Sequence, residues 1–225
     1  MNGISSAGFT RYTLPNTWLA VLVVGAAISV GACGSPSEPS RTIADLRITG
    51  PSAVLISQSA NYTAAATYAD GTSSEGIASW TSSSTAVAEV SSGGQLTALT
   101  AGSTNISASF EGRTATLAVQ ITNPLVGQWV LTASANPGNP SGIGTRRKTF
   151  TEDTWVVQQT AAAGTVVFRH GGRYTLRGTE YSETVEFANP STANLIGRTF
   201  TATLSLTANQ FTQSAPIPET WNRVQ

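Results

Sequence analysis

The sequence predicts an all-β protein of two domains. From residue 43 onward, short runs of β-branched and aromatic residues alternate with polar residues, and turn residues such as Gly50-Pro51 and Asp70-Gly71 recur between the runs. This alternation is typical of half-buried strands, because successive side chains of a strand point to opposite faces. No helical period competes with it. Asn123-Pro124 interrupts the pattern, and since proline halts a strand we expect the domain boundary there.

An apolar segment near the start of the chain ends in its single cysteine. Residues 18–33 read WLAVLVVGAAISVGAC. This run is shorter than the roughly 20 apolar residues of a spanning helix and is interrupted by glycine and serine, as in a secretory signal. Small residues stand immediately before Cys33. They resemble the lipobox of bacterial lipoproteins, in which the cysteine sulfur receives a diacylglyceryl group, the chain is cut before the cysteine and the new amino terminus is acylated.

The resemblance implies that residues 1–32 are a lipoprotein signal peptide, that Cys33 is the lipidation site and that residues 33–42, rich in Pro and Ser, are a tether. The acyl chains would anchor the protein stably to a membrane, its first expected partner. Gly34 stands where an Asp retains some lipoproteins in the inner membrane, which implies the outer membrane of the cell envelope, on either face. An uncleaved anchor and an ordinary secreted product of a later start site remain alternatives.

Residues 43–122 have the strand spacing of a β-sandwich. Three segments, WTSS at 80–83, VAEV at 87–90 and GQLTAL at 94–99, resemble the bacterial immunoglobulin-like group 2 module. The resemblance implies that Trp80 is a core residue between two sheets and that the domain is a stalk. The residues implied to pack with Trp80 are Val87, Val90, Leu96 and Ile106.

Residues 124–225 have the pattern of a meander of hairpins. Phe150 and Trp155 flank a predicted four-residue turn, which would set them opposite each other. The clearest hairpin covers residues 172–187, with its two-residue turn at Arg177-Gly178 or at Gly178-Thr179. With either turn, one face carries Tyr174, Leu176, Tyr181, Val185 and Phe187, and Glu183 falls on that same face.

Six short segments of this region occur in a fixed order: 127–129, 148–151, 172–176, 181–187, 195–200 and 221–224. They resemble a small lipocalin-like family of bacterial domains with no settled activity. The resemblance implies a lipocalin-like antiparallel β-barrel over residues 124–225. It further implies that Trp129 plugs one end of the barrel and that Arg223 covers it, as a structural closure. We expect this domain and residues 43–122 to fold separately.

A barrel would turn Glu183 inward, with Arg146 and Lys148 in the same parity as Trp155. A carboxylate on an apolar face costs several kcal/mol unless it is paired, so we expect an inward base beside it. One interpretation is an internal ion pair that only fixes the register of the barrel. The other is a small-molecule site, an apolar pocket with a few convergent polar groups. Its predicted ligand contacts are Glu183, Arg146, Tyr174, Tyr181 and Trp155.

The composition argues against catalysis and against a nucleic-acid partner. With one histidine, His170, expected in a solvated loop, and one cysteine, the chain lacks the residues of a Ser-His-Asp site or a Cys/His zinc site. We therefore predict no catalytic residue, metal or cofactor. The 12 Lys and Arg balance 12 Asp and Glu, which gives no basic patch for a polyanion.

Three function classes remain. One of them, an enzyme, would need a polar cluster inside the barrel for proton transfer. The favoured one is a non-catalytic envelope lipoprotein whose barrel binds a small, partly apolar molecule and is held off the membrane by the Ig-like stalk. The alternative is a structural or adhesive lipoprotein with a filled barrel, which would have an envelope or surface protein as its partner.

Cys33 provides the first test. The intact mass of the protein from bacterial membranes should show the loss of residues 1–32 and the addition of lipid. Cys33→Ser removes the thiol that accepts the diacylglyceryl group, so this variant should leave the membrane fraction. A soluble, unlipidated product that is cut elsewhere would contradict the prediction.

Overall fold

The computed structural model describes residues 41–76, 78–136 and 142–225. The predicted signal peptide, Cys33 and the tether up to residue 40 lie outside these ranges and stay predictions. Nearly all regular structure in the described ranges is strand, which confirms the predicted all-β class. No helix within those ranges is long and apolar enough to cross a membrane.

Ten strands precede Asn123 in the described residues. They are β1 (Ile43–Thr49), β2 (Ala53–Leu55), β3 (Ser59–Asn61), β4 (Thr63–Tyr68), β5 (Ser73–Glu75), β6 (Ser79–Ser82), β7 (Ala88–Val90), β8 (Gln95–Ala98), β9 (Gly102–Phe110) and β10 (Arg113–Thr122). They form small sheets in the orders β1-β4-β5, β2-β10-β9-β6 and β3-β8-β7. Their short length and the turns between them follow the alternating pattern of the sequence.

Tyr62 lies at the centre of this first domain. Its side chain is buried, and its hydroxyl donates a hydrogen bond to the Pro51 carbonyl at 2.7 Å. Leu96 and Ile106 are fully buried in the same core, and Trp80 and Val87 pack against it, as the sequence resemblance implied. Val90 is only half-buried. The expectation that Trp80 lies within the core is corrected: it is half-buried and packs at the margin of the core. Its indole lies over Gly94, where a side chain would meet the ring at 3.1 Å.

The remaining strands close into an eight-stranded antiparallel barrel. They are β11 (Gly127–Ser134), β12 (Arg146–Phe150), β13 (Thr154–Thr160), β14 (Val166–Arg177), β15 (Glu180–Ala188), β16 (Thr199–Leu206), β17 (Gln210–Gln213) and β18 (Glu219–Arg223). Each strand pairs with the next one along the chain, and β18 returns to pair with β11. A short 3-10 helix, Pro190–Leu195, connects β15 to β16. The predicted barrel is therefore confirmed.

The predicted register holds over most of the barrel. Phe150 pairs with Trp155 across the turn between β12 and β13, as expected. Arg177 pairs with Glu180, so the turn between β14 and β15 is Gly178-Thr179. Gly178 has φ of +55°, which a type II′ hairpin turn requires at its first central position.

The prediction that Phe187 faces inward is wrong. The pairing shifts between Gly171, opposite Phe187, and Gly172, opposite Val185, so one extra residue of β15 bulges out of the ladder. A bulge reverses the alternation of the strand beyond it. Val185 is therefore buried, whereas Phe187 is 40% exposed.

The end of the barrel that contains Trp129 adjoins the first domain. The Gly178 backbone N–H donates to the Leu99 carbonyl at 2.8 Å, and the Arg177 guanidinium donates to the Ala86 carbonyl at 3.2 Å. We call this the lower end of the barrel, and the opposite end the upper end. The separate folding of residues 43–122 and 124–225 stays a prediction.

The bulge at Gly172 can be tested by adding one methyl group. In Gly172→Ala the new Cβ would collide with the Thr184 carbonyl oxygen and lie 2.8 Å from the Glu186 nitrogen. Since both are backbone atoms, the clash should lower the free energy of unfolding by about 2 to 3 kcal/mol in chemical denaturation.

Gly93→Ala is the matched control, because the nearest atom to its Cβ is the Ser91 Oγ at 3.9 Å. This variant should stay within about 1 kcal/mol of the parent. If Gly172→Ala leaves the unfolding transition of the barrel unchanged, the close approach at Gly172 is ruled out.

Candidate ligand-binding site

The lower half of the barrel is filled by its own aromatic side chains. Phe150 lies at the centre, with ring centroids 5.1 Å from Tyr174, 6.2 Å from Tyr181 and 6.0 Å from Phe211. Trp129 meets Phe211 edge-on at 4.9 Å. Edge-to-face packing of this kind leaves no room for a ligand in this half.

Arg223 seals the lower end. Its guanidinium lies 4.3 Å from the centroid of the Trp129 ring and donates to the carbonyls of Val126 at 2.9 Å and Pro124 at 2.6 Å. Trp129 is fully buried. Gly127 makes this arrangement possible, because a Cβ there would come within 2.5 Å of the guanidinium. Because Arg223 contacts backbone carbonyls and an indole face, its role is to close the end of the barrel.

The upper half of the barrel contains a cavity of about 250 Å³. Its wall is mostly apolar and aromatic, with a cluster of charged groups. The cavity is lined by Arg146, Lys148, Trp155, Val157, Phe168, His170, Glu183, Leu195, Phe200, Gln213, Pro216, Ile217, Glu219 and Trp221. An apolar enclosure with a few convergent polar groups is the usual composition of a small-molecule site.

Lys148 and Glu183 form an ion pair at the bottom of the cavity. The Lys148 Nζ lies 2.5 Å from the Glu183 Oε2, and the side chains are 5% and 15% exposed. The Tyr181 hydroxyl donates to the same oxygen at 2.5 Å. Burial and the neighbouring Glu183 charge hold the Tyr181 pKa well above its usual value, so the phenol stays a donor. The carboxylate expected among apolar residues is therefore inside and paired with a base.

Arg146 and Glu219 form a looser pair higher in the cavity. The Arg146 Nη1 lies 4.0 Å from the Glu219 Oε1. Arg146 also donates from Nη2 to Gln159 at 2.9 Å and stacks 4.4 Å from the Phe168 centroid. Burial lowers the Arg146 pKa, partly offset by Glu219, and burial raises the Glu219 pKa. The Arg146 Nε has no hydrogen-bond partner among the described residues.

His170 is buried in the wall of this cavity. The expectation of a solvated loop was wrong, since β14 runs through the residue and leaves it 7% exposed. Its ring lies between Trp155 and Phe168, at 5.3 and 4.7 Å. Burial lowers its pKa to about 4, with a smaller opposing effect of Glu183. Its Nδ1 has no partner within the described part of the chain.

Three of the five predicted ligand contacts line the cavity: Glu183, Arg146 and Trp155. Tyr174 and Tyr181 do not. The Tyr174 hydroxyl lies at the lower end, where it donates to Thr151 and accepts from Asn123, both at 2.7 Å. Strand parity predicted correctly which side chains of these strands point into the barrel, but it could not predict their level along the barrel axis.

The sequence reasoning missed Glu219 and Trp221. The Trp221 Nε1 donates to Glu219 at 3.1 Å, and both side chains line the cavity. Glu219 and Trp221 lie two residues apart in β18, so they share a face of the strand. Tyr181 and Glu183 are related in the same way in β15, so the same pattern could have identified this site. In residues 41–76, 78–136 and 142–225, no group of three His, Cys, Asp or Glu side chains is placed to hold a metal ion.

The buried histidine generates a pH-dependent prediction. Between its usual pKa of 6.5 and the folded value of about 4, the unfolded chain binds a proton that the folded chain does not. The free energy of unfolding should therefore fall as the pH drops through this window, by up to about 3 kcal/mol. His170→Gln removes the group, so the stability difference between parent and variant should shrink across the window. Parallel pH profiles in urea denaturation would contradict the burial of a neutral imidazole.

Comparison with known proteins identifies the first domain. Residues 45–118 match the family model of the bacterial Ig-like domain (group 2). Among curated proteins none matches the chain.

Solved structures provide weaker similarities. A lipocalin-like protein from Bacteroides uniformis is 15% identical, with 45% of this chain and 99% of that chain covered and a TM-score of 0.35. An uncharacterized protein from Bacteroides eggerthii is 17% identical over 44% of this chain and 99% of that one, with a TM-score of 0.35. Domains 5-6 of the S-layer protein SbsC are 14% identical over 82% and 85% of the two chains, with a TM-score of 0.33. The chain thus combines a bacterial Ig-like domain (group 2), at residues 45–118, with a closed eight-stranded antiparallel barrel.

Proposed function

We propose that this protein is a lipid-anchored, non-catalytic lipoprotein of the bacterial cell envelope whose barrel binds a small, partly apolar molecule. The observation that carries the proposal is the cavity of about 250 Å³, whose wall joins aromatic side chains to two ion pairs, Lys148–Glu183 and Arg146–Glu219. Pockets that bind small molecules are mostly apolar and carry a few convergent polar groups.

The size of the cavity fits a molecule with an aromatic or alicyclic body. A dry engineered cavity of roughly 150 Å³ in another protein binds benzene. At about 250 Å³, this cavity has room for a body of about two fused rings. The side chains of Trp155, Phe168 and Trp221 supply flat apolar surfaces for such a body.

The Ig-like domain serves as a stalk in this proposal. It stands between the predicted anchor at Cys33 and the barrel in the order of the chain. Hydrogen bonds from Arg177 and Gly178 join the first domain to the lower, sealed end of the barrel. The cavity lies in the other half, where the stalk does not cover it.

One observation favours the alternative of a structural or adhesive protein. The Glu183 carboxylate is satisfied by Lys148 and Tyr181 without any ligand, as an internal cluster that fixes the register of a barrel would be. That cluster and the filled lower half account for stability, but they leave the cavity in the upper half without an explanation. The two functions differ in whether a molecule occupies the cavity.

Two neighbouring residues provide the test. Leu195 lines the cavity, whereas Ile196 is 52% exposed outside it. Leu195→Trp should fill the cavity and reduce ligand binding by at least about tenfold, while Ile196→Trp adds the same side chain at the surface and should leave binding unchanged. Native mass spectrometry of the full protein, extracted from its own envelope in mild detergent, reports the bound small molecule. A parent protein without ligand, or equal retention in both variants, would refute the binding function.

A further inference from the structure

The charges of the cavity balance. Two cations, Arg146 and Lys148, face two carboxylates, Glu183 and Glu219, and each cation has a carboxylate within 4.0 Å. The remaining titratable group is His170, whose pKa of about 4 leaves it uncharged near neutral pH. The wall of the cavity therefore carries no net charge in its described part.

A ligand that brings a charge into this cavity would lack a counter-charge. All four ionic side chains are at most 15% exposed, so water screens them little. A charged ligand would have to break one of the existing pairs, and it would leave the displaced partner buried and uncompensated. An uncharged ligand avoids that cost.

The polar groups that line the cavity specify the polar part of the ligand. The guanidinium of Arg146 and the ammonium of Lys148 can only donate hydrogen bonds, and the carboxylates of Glu183 and Glu219 can only accept them. A primary amide or a hydroxyl supplies an acceptor and a donor without adding charge.

We propose that the cavity selects uncharged molecules: an aromatic or alicyclic body of about two rings that carries an amide, carbonyl or hydroxyl group. This inference rests on the proposed binding function and names the ligand class for the same site. The apolar body lies among Trp155, Phe168 and Trp221, and the polar group meets the ionic side chains that line the cavity.

Three probes of one shape test the selection. They are 1-naphthylacetamide, 1-naphthylacetate and 2-(1-naphthyl)ethylamine, which carry zero, negative and positive charge at pH 7. Isothermal titration calorimetry with the full protein in lipid nanodiscs, blanked with empty nanodiscs, gives the dissociation constants. The amide should bind at least about tenfold more tightly than either charged probe.

Charge-changing variants sharpen the test. Glu219→Gln leaves one cation unbalanced, so the carboxylate probe should gain at least about tenfold relative to the amine. Arg146→Gln leaves one carboxylate unbalanced and should move the preference by a similar factor towards the amine. Matched controls are Arg173→Gln and Glu186→Gln, a 3.6 Å pair whose side chains are 64% and 51% exposed. These controls should leave the order of the three probes unchanged.

The outcomes separate the two proposals. Tighter binding of either charged probe to the parent protein would overturn the selection of uncharged ligands while the binding function stands. The same holds if the controls shift the preference as much as the cavity variants do. If no probe binds and the native mass spectrum shows no ligand, the binding function fails and this inference fails with it. If a variant does not fold, the three-probe comparison on the parent protein still decides.

Discussion

The buried ion pair between Lys148 and Glu183 is the constraint around which the barrel is arranged. Removing one member of such a pair leaves the other uncompensated, at a cost of about 3 to 5 kcal/mol. The pair lies at the junction of the two halves, with the Tyr181 hydroxyl completing it from below and the cavity above. Below the pair, aromatic rings exclude water. Above it, the barrel wall encloses space that those rings do not fill.

The same pair explains why charged groups are tolerated inside an otherwise apolar barrel. Lys148 lies 4.5 Å from the centroid of Trp155, so its ammonium group has an aromatic face as well as a carboxylate. Arg146 repeats the arrangement one level higher, with Phe168 as the face and Glu219 as the counter-charge. The same arrangement therefore occurs at two levels of the cavity, with the cations on β12 and their carboxylates on β15 and β18.

Strand alternation predicted the hairpins and the faces of their residues, whereas the closure of the barrel was expected from the family resemblance of the sequence. The pairing of Phe150 with Trp155 and the inward position of Glu183 followed from parity and turn length. Parity failed at Phe187, because the bulge beside Gly172 depends on tertiary packing that no local pattern encodes. Parity also could not distinguish the filled half of the barrel from the hollow half, because that difference depends on the number of large aromatic side chains at each level. Tyr181 was therefore placed on the correct face but at the wrong depth for ligand contact.

The connectivity of the barrel also determines when its site can form. Neighbouring strands pair along the chain, whereas Trp129 in β11 must meet Arg223 in β18 across the whole length of the domain. Closing so long a loop lowers the conformational entropy of the chain before any contact between β11 and β18 forms. The pairing of these two strands should therefore form late in folding. The strand that closes the barrel also supplies Glu219 to the cavity, Trp221 to the aromatic packing and Arg223 to the lower end. An unfinished barrel therefore lacks its seal and half of its upper ion pair, so the cavity is incomplete until the last strand has paired.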